Sequence, residues 1–253
     1  MDRFFQQVYG GILAFAVGDA LGVPVEFSSR EERMRSPVTG MRAYGTHQQP
    51  AGTWSDDTSM TLCTLESLSQ SGITREAAPE DMMQRFCRWM REGYWTPYGE
   101  VFDMSGTTFT ALAQSGDSVQ IAHVGDSRAY LMRNGAIMRL TTDHTLVEEM
   151  VLKGVITPRE ARYHPKRNYI TRALGTAERV EVDLIQLERL KGDVFFLCTD
   201  GLSNHVDERK ILEITLGGAS WEEKLDAVVN AALEDGGTDN ITAMYAVFEE
   251  DQK

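Results

Sequence analysis

Three aspartates in the second half of the chain share one local setting, which is a predicted strand end beside glycine or a small polar residue. Asp126 lies in Gly-Asp-Ser-Arg, Asp200 in Thr-Asp-Gly and Asp239 in Thr-Asp-Asn. Strand ends hold side chains on rigid backbone. Carboxylates gathered at one rim repel one another unless a cation compensates, and oxygen ligands without nearby His or Cys favour Mg²⁺ or Mn²⁺ over zinc. These residues therefore predict a divalent-metal site.

A second group of oxygen ligands lies near the N-terminus, where Ser55, Asp56 and Asp57 immediately precede a predicted helix. Adjacent ligands at the start of a helix would point toward a single site. The alternative is a plain helix N-terminus, where the helix dipole favours acidic residues. Each strand-end aspartate has a comparable alternative, because Asp often caps a turn by bonding to the backbone ahead of it. The residues alone leave these alternatives open.

The elements that must position these residues change in type near residue 104. Before it, apolar residues at three- and four-residue spacing predict helices, with a loop over residues 28–53. The predicted helices cover residues 4–21, 58–70 and 79–91. After it, short alternating or continuous apolar runs predict antiparallel strands. These strands cover residues 118–124, 128–132, 194–198 and 241–248. Further helices are predicted over residues 146–153, 158–163 and 221–234. We expect an all-α segment over residues 1–104 and a second domain over residues 105–253.

Composition bounds the function. The chain has 253 residues and a formal charge of −13, with acidic residues spread along its length, so no general nucleic-acid surface is expected. Three widely spaced cysteines, Cys63, Cys87 and Cys198, predict buried reduced thiols and a cytoplasmic location. The sequence predicts neither a signal peptide nor a membrane span, and therefore no membrane partner.

The second part of the chain resembles the PPM (type 2C) family of metal-dependent serine/threonine protein phosphatases. Ordered matches run over about 145 residues. They include residues 121–131, 140–144, 154–157, 164–168, 171–175, 197–202 and 237–242. The resemblance implies an α/β (α+β) fold, a PPM-type antiparallel β-sandwich flanked by helices.

The PPM resemblance also assigns roles. It implies that Asp200 and Asp239 ligate a pair of Mg²⁺ or Mn²⁺ ions and that Asp126 serves a third, weaker metal, with Gly201 and Asn240 as metal-adjacent backbone. Its activity is hydrolysis of phosphoserine and phosphothreonine by metal-activated water, on a phosphorylated protein substrate.

The chain departs from the PPM pattern at its N-terminal side. The family's Arg-x-x-Asn-Glu-Asp and Asp-Gly-x-Gly-Gly motifs, which supply a phosphate-binding arginine and a bridging aspartate, do not occur in the sequence. The sandwich is therefore expected to be incomplete at its N-terminus. Sheet edges left open in this way predict pairing with another copy of the chain, as a homo-oligomer or an aggregate.

Residues 10–113 instead resemble the start of the ADP-ribosylglycohydrolase family, an all-helical dinuclear-magnesium fold. The matches are residues 18–22, Glu26, residues 52–60, 96–99 and 101–103. The resemblance implies that Ser55, Asp56 and Asp57 match metal ligands and that Glu26 reaches the same metals. The two resemblances meet at residues 102–112, so the chain reads as a chimera.

The two resemblances leave three candidate functions. The first is a metal-dependent hydrolase of the protein phosphatase type, impaired by the loss of the N-terminal motifs. The second is an ADP-ribosylglycohydrolase that uses the Ser-Asp-Asp run. The third is a catalytically silent fusion of two half-sites, because a two-metal site without its bridging carboxylate loses the geometry that activates water. A variant of these is a hybrid site built from Asp56, Asp57, Asp200 and Asp239.

Overall fold

A computed structural model describes residues 3–71, 78–102, 107–115, 117–174 and 180–247. Among these residues, one compact unit ends at Thr107 and another begins at Thr108. The assignment of residues 1–104 and 105–253 to separate domains stays a prediction. In the described residues, no helix is long and apolar enough to cross a membrane.

The first unit is helical. Its helices are α1 (Arg3–Gly22), α2 (Arg30–Arg35), α3 (Asp56–Ser71) and α4 (Ala78–Glu92), with a 3-10 turn at Val23–Val25. The three predicted helices are confirmed. The prediction of loop throughout residues 28–53 is wrong at α2, which begins with a capping box in which the Ser29 N–H donates to Glu32 and the Glu32 N–H donates to Ser29 Oγ. A capping box satisfies two free donors at once and so stabilises a helix too short to show an apolar period.

Helices α3 and α4 pack against each other. Met60, Cys63, Phe86 and Trp89 are buried. A buried arginine, Arg85, pairs with carboxylates on both helices. Its partners are Glu66 on α3 and Asp81 on α4. This pairing is required because an unpaired guanidinium in the interior costs several kcal/mol.

The second unit is a sandwich of two antiparallel sheets. A three-stranded sheet has the order β1-β2-β5, and a four-stranded sheet has the order β4-β3-β6-β7. The strands are β1 (Phe109–Ser115), β2 (Ser118–Val124), β3 (Arg128–Arg133), β4 (Ala136–Arg139), β5 (Asp183–Glu188), β6 (Val194–Cys198) and β7 (Ala243–Val247). The prediction of an antiparallel sandwich is confirmed.

The central strand β6 is buried on both faces, as its continuous apolar run predicts. Phe195 and Leu197 pack with Val119 and Ile121 of the other sheet. The intervening Phe196 packs on the opposite side, in a cluster that includes residues of the two longest helices of this unit, α8 (Glu208–Leu216) and α9 (Trp221–Glu234). Successive side chains of a strand point to opposite faces, so one short strand contributes to both cores.

Shorter helices complete the second unit. They are α5 (Leu146–Leu152), α6 (Pro158–Arg162) and α7 (Asp200–Ser203). The predicted helices over residues 146–153, 158–163 and 221–234 are confirmed. The three cysteines are free thiols, as predicted. Cys63 and Cys198 are buried, but the prediction of burial is wrong for Cys87, which is half-buried on α4.

A buried ion pair joins the end of β3 to the loop before β6. Asp193 is 2% exposed, accepts from Arg133 Nε at 2.7 Å and accepts from the Leu190 N–H at 2.7 Å. Burial alone would raise the pKa of Asp193, but the bonds from Arg133 and Leu190 hold it below 3.8. The carboxylate therefore stabilises the fold above the unfolded-state pKa, and this contribution disappears as the pH falls through the folded-state pKa.

Asp193→Asn is expected to lower the free energy of unfolding by about 2 kcal/mol at pH 7, because charge-assisted bonds become neutral ones. Urea unfolding measures this, and the difference from wild type should shrink below about pH 4. Asp117→Asn is the control, since Asp117 has 80% of its side chain exposed and meets Arg189 at 3.4 Å. A pH-independent difference would contradict the assignment.

Candidate metal centre

Asp126 lies in the turn between β2 and β3. The preceding Gly125 has a φ of 110° and bonds twice to His144, donating its N–H to Nδ1 at 3.0 Å and accepting the His144 N–H at 2.7 Å. Asp126 is 9% exposed, and burial raises its pKa to about 7, with further contributions from the negative charges of Asp200 and Asp143. The turn thus holds a carboxylate where its ionised form is unfavourable without a cation.

Asp200 follows β6 after one residue, Thr199, and opens α7. Its carboxylate accepts from Asn204 Nδ2 at 3.2 Å. Burial raises its pKa, and the charge of Asp239 raises it further. Asp239 lies on the exposed loop that leads into β7, where its own Oδ1 accepts the Asn240 N–H at 2.7 Å. The three aspartates therefore form two electrostatically coupled pairs that share Asp200.

The backbone of Gly201 touches the loop that carries Asp239. A Cβ at Gly201 would lie 2.2 Å from the Asn240 carbonyl oxygen and 3.3 Å from the Asp239 Cβ. Only glycine permits this approach. The structure thus brings Gly201 and Asn240 together beside the aspartates, and their role beside a metal stays a prediction.

The carboxylate oxygens of these aspartates are the kind of ligand that a hard divalent cation prefers, but too few of them come together to form a complete site. Burial disfavours the ionised forms of Asp126 and Asp200. The charge of Asp200 adds to this effect at Asp126, and the charge of Asp239 adds to it at Asp200, so a cation would relieve both. Within the described ranges, however, no group of three or more His, Cys, Asp or Glu side chains has the arrangement of a metal site. This agrees with the absence from the sequence of the two N-terminal PPM motifs.

Arg128, Asp143 and His144 support the Asp126 turn through contacts that the sequence does not predict in detail. Arg128 Nε donates to both carboxylate oxygens of Asp143 at 3.0 Å, and its charge opposes the rise in the pKa of Asp126. His144 is 7% exposed, and its Nε2 lies 3.1 Å from Asp183 Oδ2. Nδ1 accepts from the Gly125 N–H, and Nε2 also lies 2.9 Å from Arg172 Nη1. Only the adjacency of Asp143 and His144 signals these roles in the sequence.

The N-terminal candidates are arranged differently. Ser55 immediately precedes α3, while Asp56 is buried and Asp57 is exposed in its first turn. The Thr107 hydroxyl donates to Asp57 Oδ1 at 2.9 Å. Glu26 contacts His47 Nε2 through its carboxylate. Whether these four residues share a metal stays a prediction.

Asp19 organises the start of α3, a role that sequence reasoning missed. Its Oδ2 accepts from the Ser55 N–H at 3.0 Å, the Thr58 N–H at 3.2 Å and the Thr58 hydroxyl at 2.6 Å. These bonds satisfy amide donors that a helix start leaves free. The Gly-Asp-Ala-Leu-Gly run therefore supports the Ser-Asp-Asp segment rather than adding a ligand to it.

The helix-flanked antiparallel sandwich with strand-end aspartates is that of the PPM-type phosphatases. The serine/threonine phosphatase PstP/Ppp of Mycobacterium tuberculosis superposes with a TM-score of 0.63 at 32% identity, covering 76% of this chain and 82% of that one. The catalytic domain of PstP in complex with two manganese ions gives a TM-score of 0.59 at 31% identity, covering 73% and 78%.

The chain belongs to the PPM-type serine/threonine phosphatase family, and it belongs as well to the ADP-ribosylglycohydrolase family, whose model matches residues 1–160. The serine/threonine phosphatase stp of Listeria monocytogenes is 40% identical over 148 residues, which are 58% of this chain. The chain spans only 59% of the length of that relative. The resemblance to two families predicted from the sequence is confirmed.

Proposed function

We propose that the chain hydrolyses phosphoserine or phosphothreonine in a phosphorylated protein, using Mg²⁺ or Mn²⁺ held by Asp126, Asp200 and Asp239. The observation that carries this proposal is the coupling of the buried Asp126 with the half-buried Asp200, whose pKa values are both raised by burial and by neighbouring carboxylates. A cation between such groups removes the penalty of ionising them.

Bound divalent ions would neutralise charge on the phosphoryl oxygens and lower the pKa of water. The chain's own residues do the positioning. Arg128 donates to both carboxylate oxygens of Asp143 beside the Asp126 turn, and this ion pair holds both side chains in place. Gly201 lets the Asp239 loop approach Asp200. Rigid support of this kind is what metal ligands need to keep their geometry.

Hydrolysis of p-nitrophenyl phosphate and of a phosphothreonine peptide by the full chain, with Mn²⁺ titrated in, tests the proposal. Asp200→Asn should lose the Mn²⁺-dependent rate. Asp207→Asn is the matched control, because Asp207 caps α8 from an exposed position and Asn caps a helix equally well. An unchanged Mn²⁺-dependent rate in Asp200→Asn would reject the site.

ADP-ribosyl hydrolysis is the second candidate, favoured by the family match over residues 1–160 and by the ordered start of α3. It would use Glu26, Ser55, Asp56 and Asp57 with Mg²⁺. Release of ADP-ribose from modified arginine or serine measures it, and Asp57→Ala should abolish that release while leaving phosphatase activity intact. Failure of both assays would favour the silent fusion of two half-sites.

The cellular setting is part of the proposal. Three free thiols support a cytoplasmic location, because unpaired cysteines suit a reducing compartment. The spread of negative charge argues against a nucleic-acid partner, and no membrane partner is proposed. Pairing of open sheet edges into a homo-oligomer remains a prediction, which sedimentation velocity would test.

A further inference from the structure

The loop that carries Asp239 is anchored on its C-terminal side by the residue before Asp200. The Thr199 N–H donates to the Thr242 carbonyl at 3.0 Å, and the Thr242 N–H donates to Thr199 Oγ1 at 3.0 Å. The Thr199 hydroxyl donates to the Asn240 carbonyl at 3.2 Å. The register of Asn240 and Thr242 is therefore set directly by the end of β6.

The N-terminal side of the same loop is held by a histidine that the proposed reaction does not use. The Thr238 N–H donates to His205 Nε2 at 3.3 Å, and the Thr238 hydroxyl lies 3.0 Å from the same nitrogen. Because Nε2 accepts a backbone proton, the ring proton of neutral His205 lies on Nδ1, 3.0 Å from Asp235 Oδ2. Asp235 thus stabilises the tautomer of His205 whose Nε2 accepts the Thr238 N–H.

Backbone hydrogen bonds to α9 hold the start of this side of the loop, where the Gly236 N–H donates to the Leu233 carbonyl at 3.2 Å and the Gly237 N–H donates to the Ala232 carbonyl at 3.1 Å. Gly236 and Gly237 connect α9 to Thr238 with φ values of 132° and 51°, which glycine adopts at low cost. Neither has a side chain to anchor the turn. His205 follows α7, the short helix that begins at Asp200. The same short segment therefore carries Asp200 and binds the loop that carries Asp239.

We propose that His205 is a positioning residue, which holds Asp239 in place relative to Asp200 and thereby sets the affinity of the chain for a divalent cation. The inference rests on the proposed metal site and extends it to a residue outside it. Groups that orient metal ligands from behind typically contribute 10- to 100-fold in metal affinity. His205 and Asp235 also line a surface groove of about 450 Å³.

Two substitutions separate the contacts of His205. Gln can place its amide oxygen near the position of Nε2 and accept the Thr238 N–H, whereas Asn is too short and retains only the contact with Asp235. Isothermal titration of the whole chain with Mn²⁺ should show about 10-fold weaker binding for His205→Asn and nearly wild-type binding for His205→Gln. Equal binding by Asn, Gln and wild type, or equal weakening in both variants, would overturn the proposal.

Amide hydrogen exchange in the metal-free protein gives a readout independent of the metal site. In His205→Asn, exchange at Thr238 and Asn240 should accelerate about 10-fold, while exchange at Phe196 in the core strand stays unchanged. His205→Gln should restore the slow exchange. If wild type binds no Mn²⁺, the proposed function fails, and the exchange data still decide the positioning role. Unchanged exchange at Thr238 in His205→Asn would overturn it.

Discussion

At pH 8 and without divalent metal, the Asp126→Asn variant is expected to be more stable than the wild-type chain by roughly 4 kcal/mol. Burial raises the pKa of Asp126 from 3.8 to about 7, and the charges of Asp200 and Asp143 add to the effect. At pH 8 the wild-type carboxyl is ionised in an environment that disfavours its charge. The neutral amide removes this cost while keeping the shape of the side chain.

The raised pKa of Asp126 determines whether the stability of the wild-type chain rises or falls with pH. Between pH 4 and 7 the folded wild-type chain binds more protons at Asp126 than the unfolded chain, so its stability falls as the pH rises through this window. The variant lacks this contribution, and the two proteins should converge near pH 4. Urea unfolding at several pH values, with chelator present, measures the difference. Asp226→Asn, on the exposed surface of α9, is the control and should change stability by less than about 0.5 kcal/mol.

Mn²⁺ should narrow the difference in stability between these two proteins. A ligand that binds only the folded state stabilises it in proportion to its affinity, and the carboxylate of Asp126 binds the cation better than an amide does. Wild type should therefore gain more stability than Asp126→Asn when Mn²⁺ replaces the chelator. A variant no more stable than wild type at pH 8 without metal would show that Asp126 is better solvated than the fold indicates.

The sequence predicts the central strands and long helices because their burial is periodic. Strand β6 is continuously apolar since both of its faces are covered, and α9 has apolar residues spaced for one face. Strands β1, β4 and β5 were not predicted. Each lies at the edge of its sheet, and in β5 the exposed Leu184 and the half-buried Asp183 break the alternation of apolar and polar residues. Helix α2 depends on a capping box rather than on packing.

The candidate site also contains residues that the sequence predicts and residues that it does not. Asp126, Asp200 and Asp239 stand out because each has glycine or a small residue beside it at a strand end. The residues that support them do not stand out, since their partners are distant in the sequence. His205 meets Thr238 33 positions later. In the same way, at the start of α3, Asp19 meets Thr58 39 positions later. Pairings of this kind follow from the fold and leave no local pattern.

Gly201→Ala is expected to lower the free energy of unfolding by about 3 kcal/mol, although Gly201 lies in a helix, where alanine usually stabilises by up to about 1 kcal/mol. The new Cβ would lie 2.2 Å from the Asn240 oxygen and 2.9 Å from its carbonyl carbon. Both are backbone atoms and cannot rotate away, so the Asp239 loop must move as a whole. Overpacking against rigid backbone reaches the upper end of its usual cost, about 3 kcal/mol, and outweighs the gain in helix propensity.

The displaced loop should also bind Mn²⁺ less tightly, because Asp239 moves away from Asp200 with it. Urea unfolding and Mn²⁺ titration of the same variant measure both effects. Gly218→Ala provides the control, since a Cβ there meets nothing within 4 Å and stability should change by less than about 0.5 kcal/mol. If Gly201→Ala were as stable as wild type, the gain in helix propensity would outweigh the cost of the close contact. The close approach of α7 to the Asp239 loop would then not explain how Asp200 and Asp239 are held together.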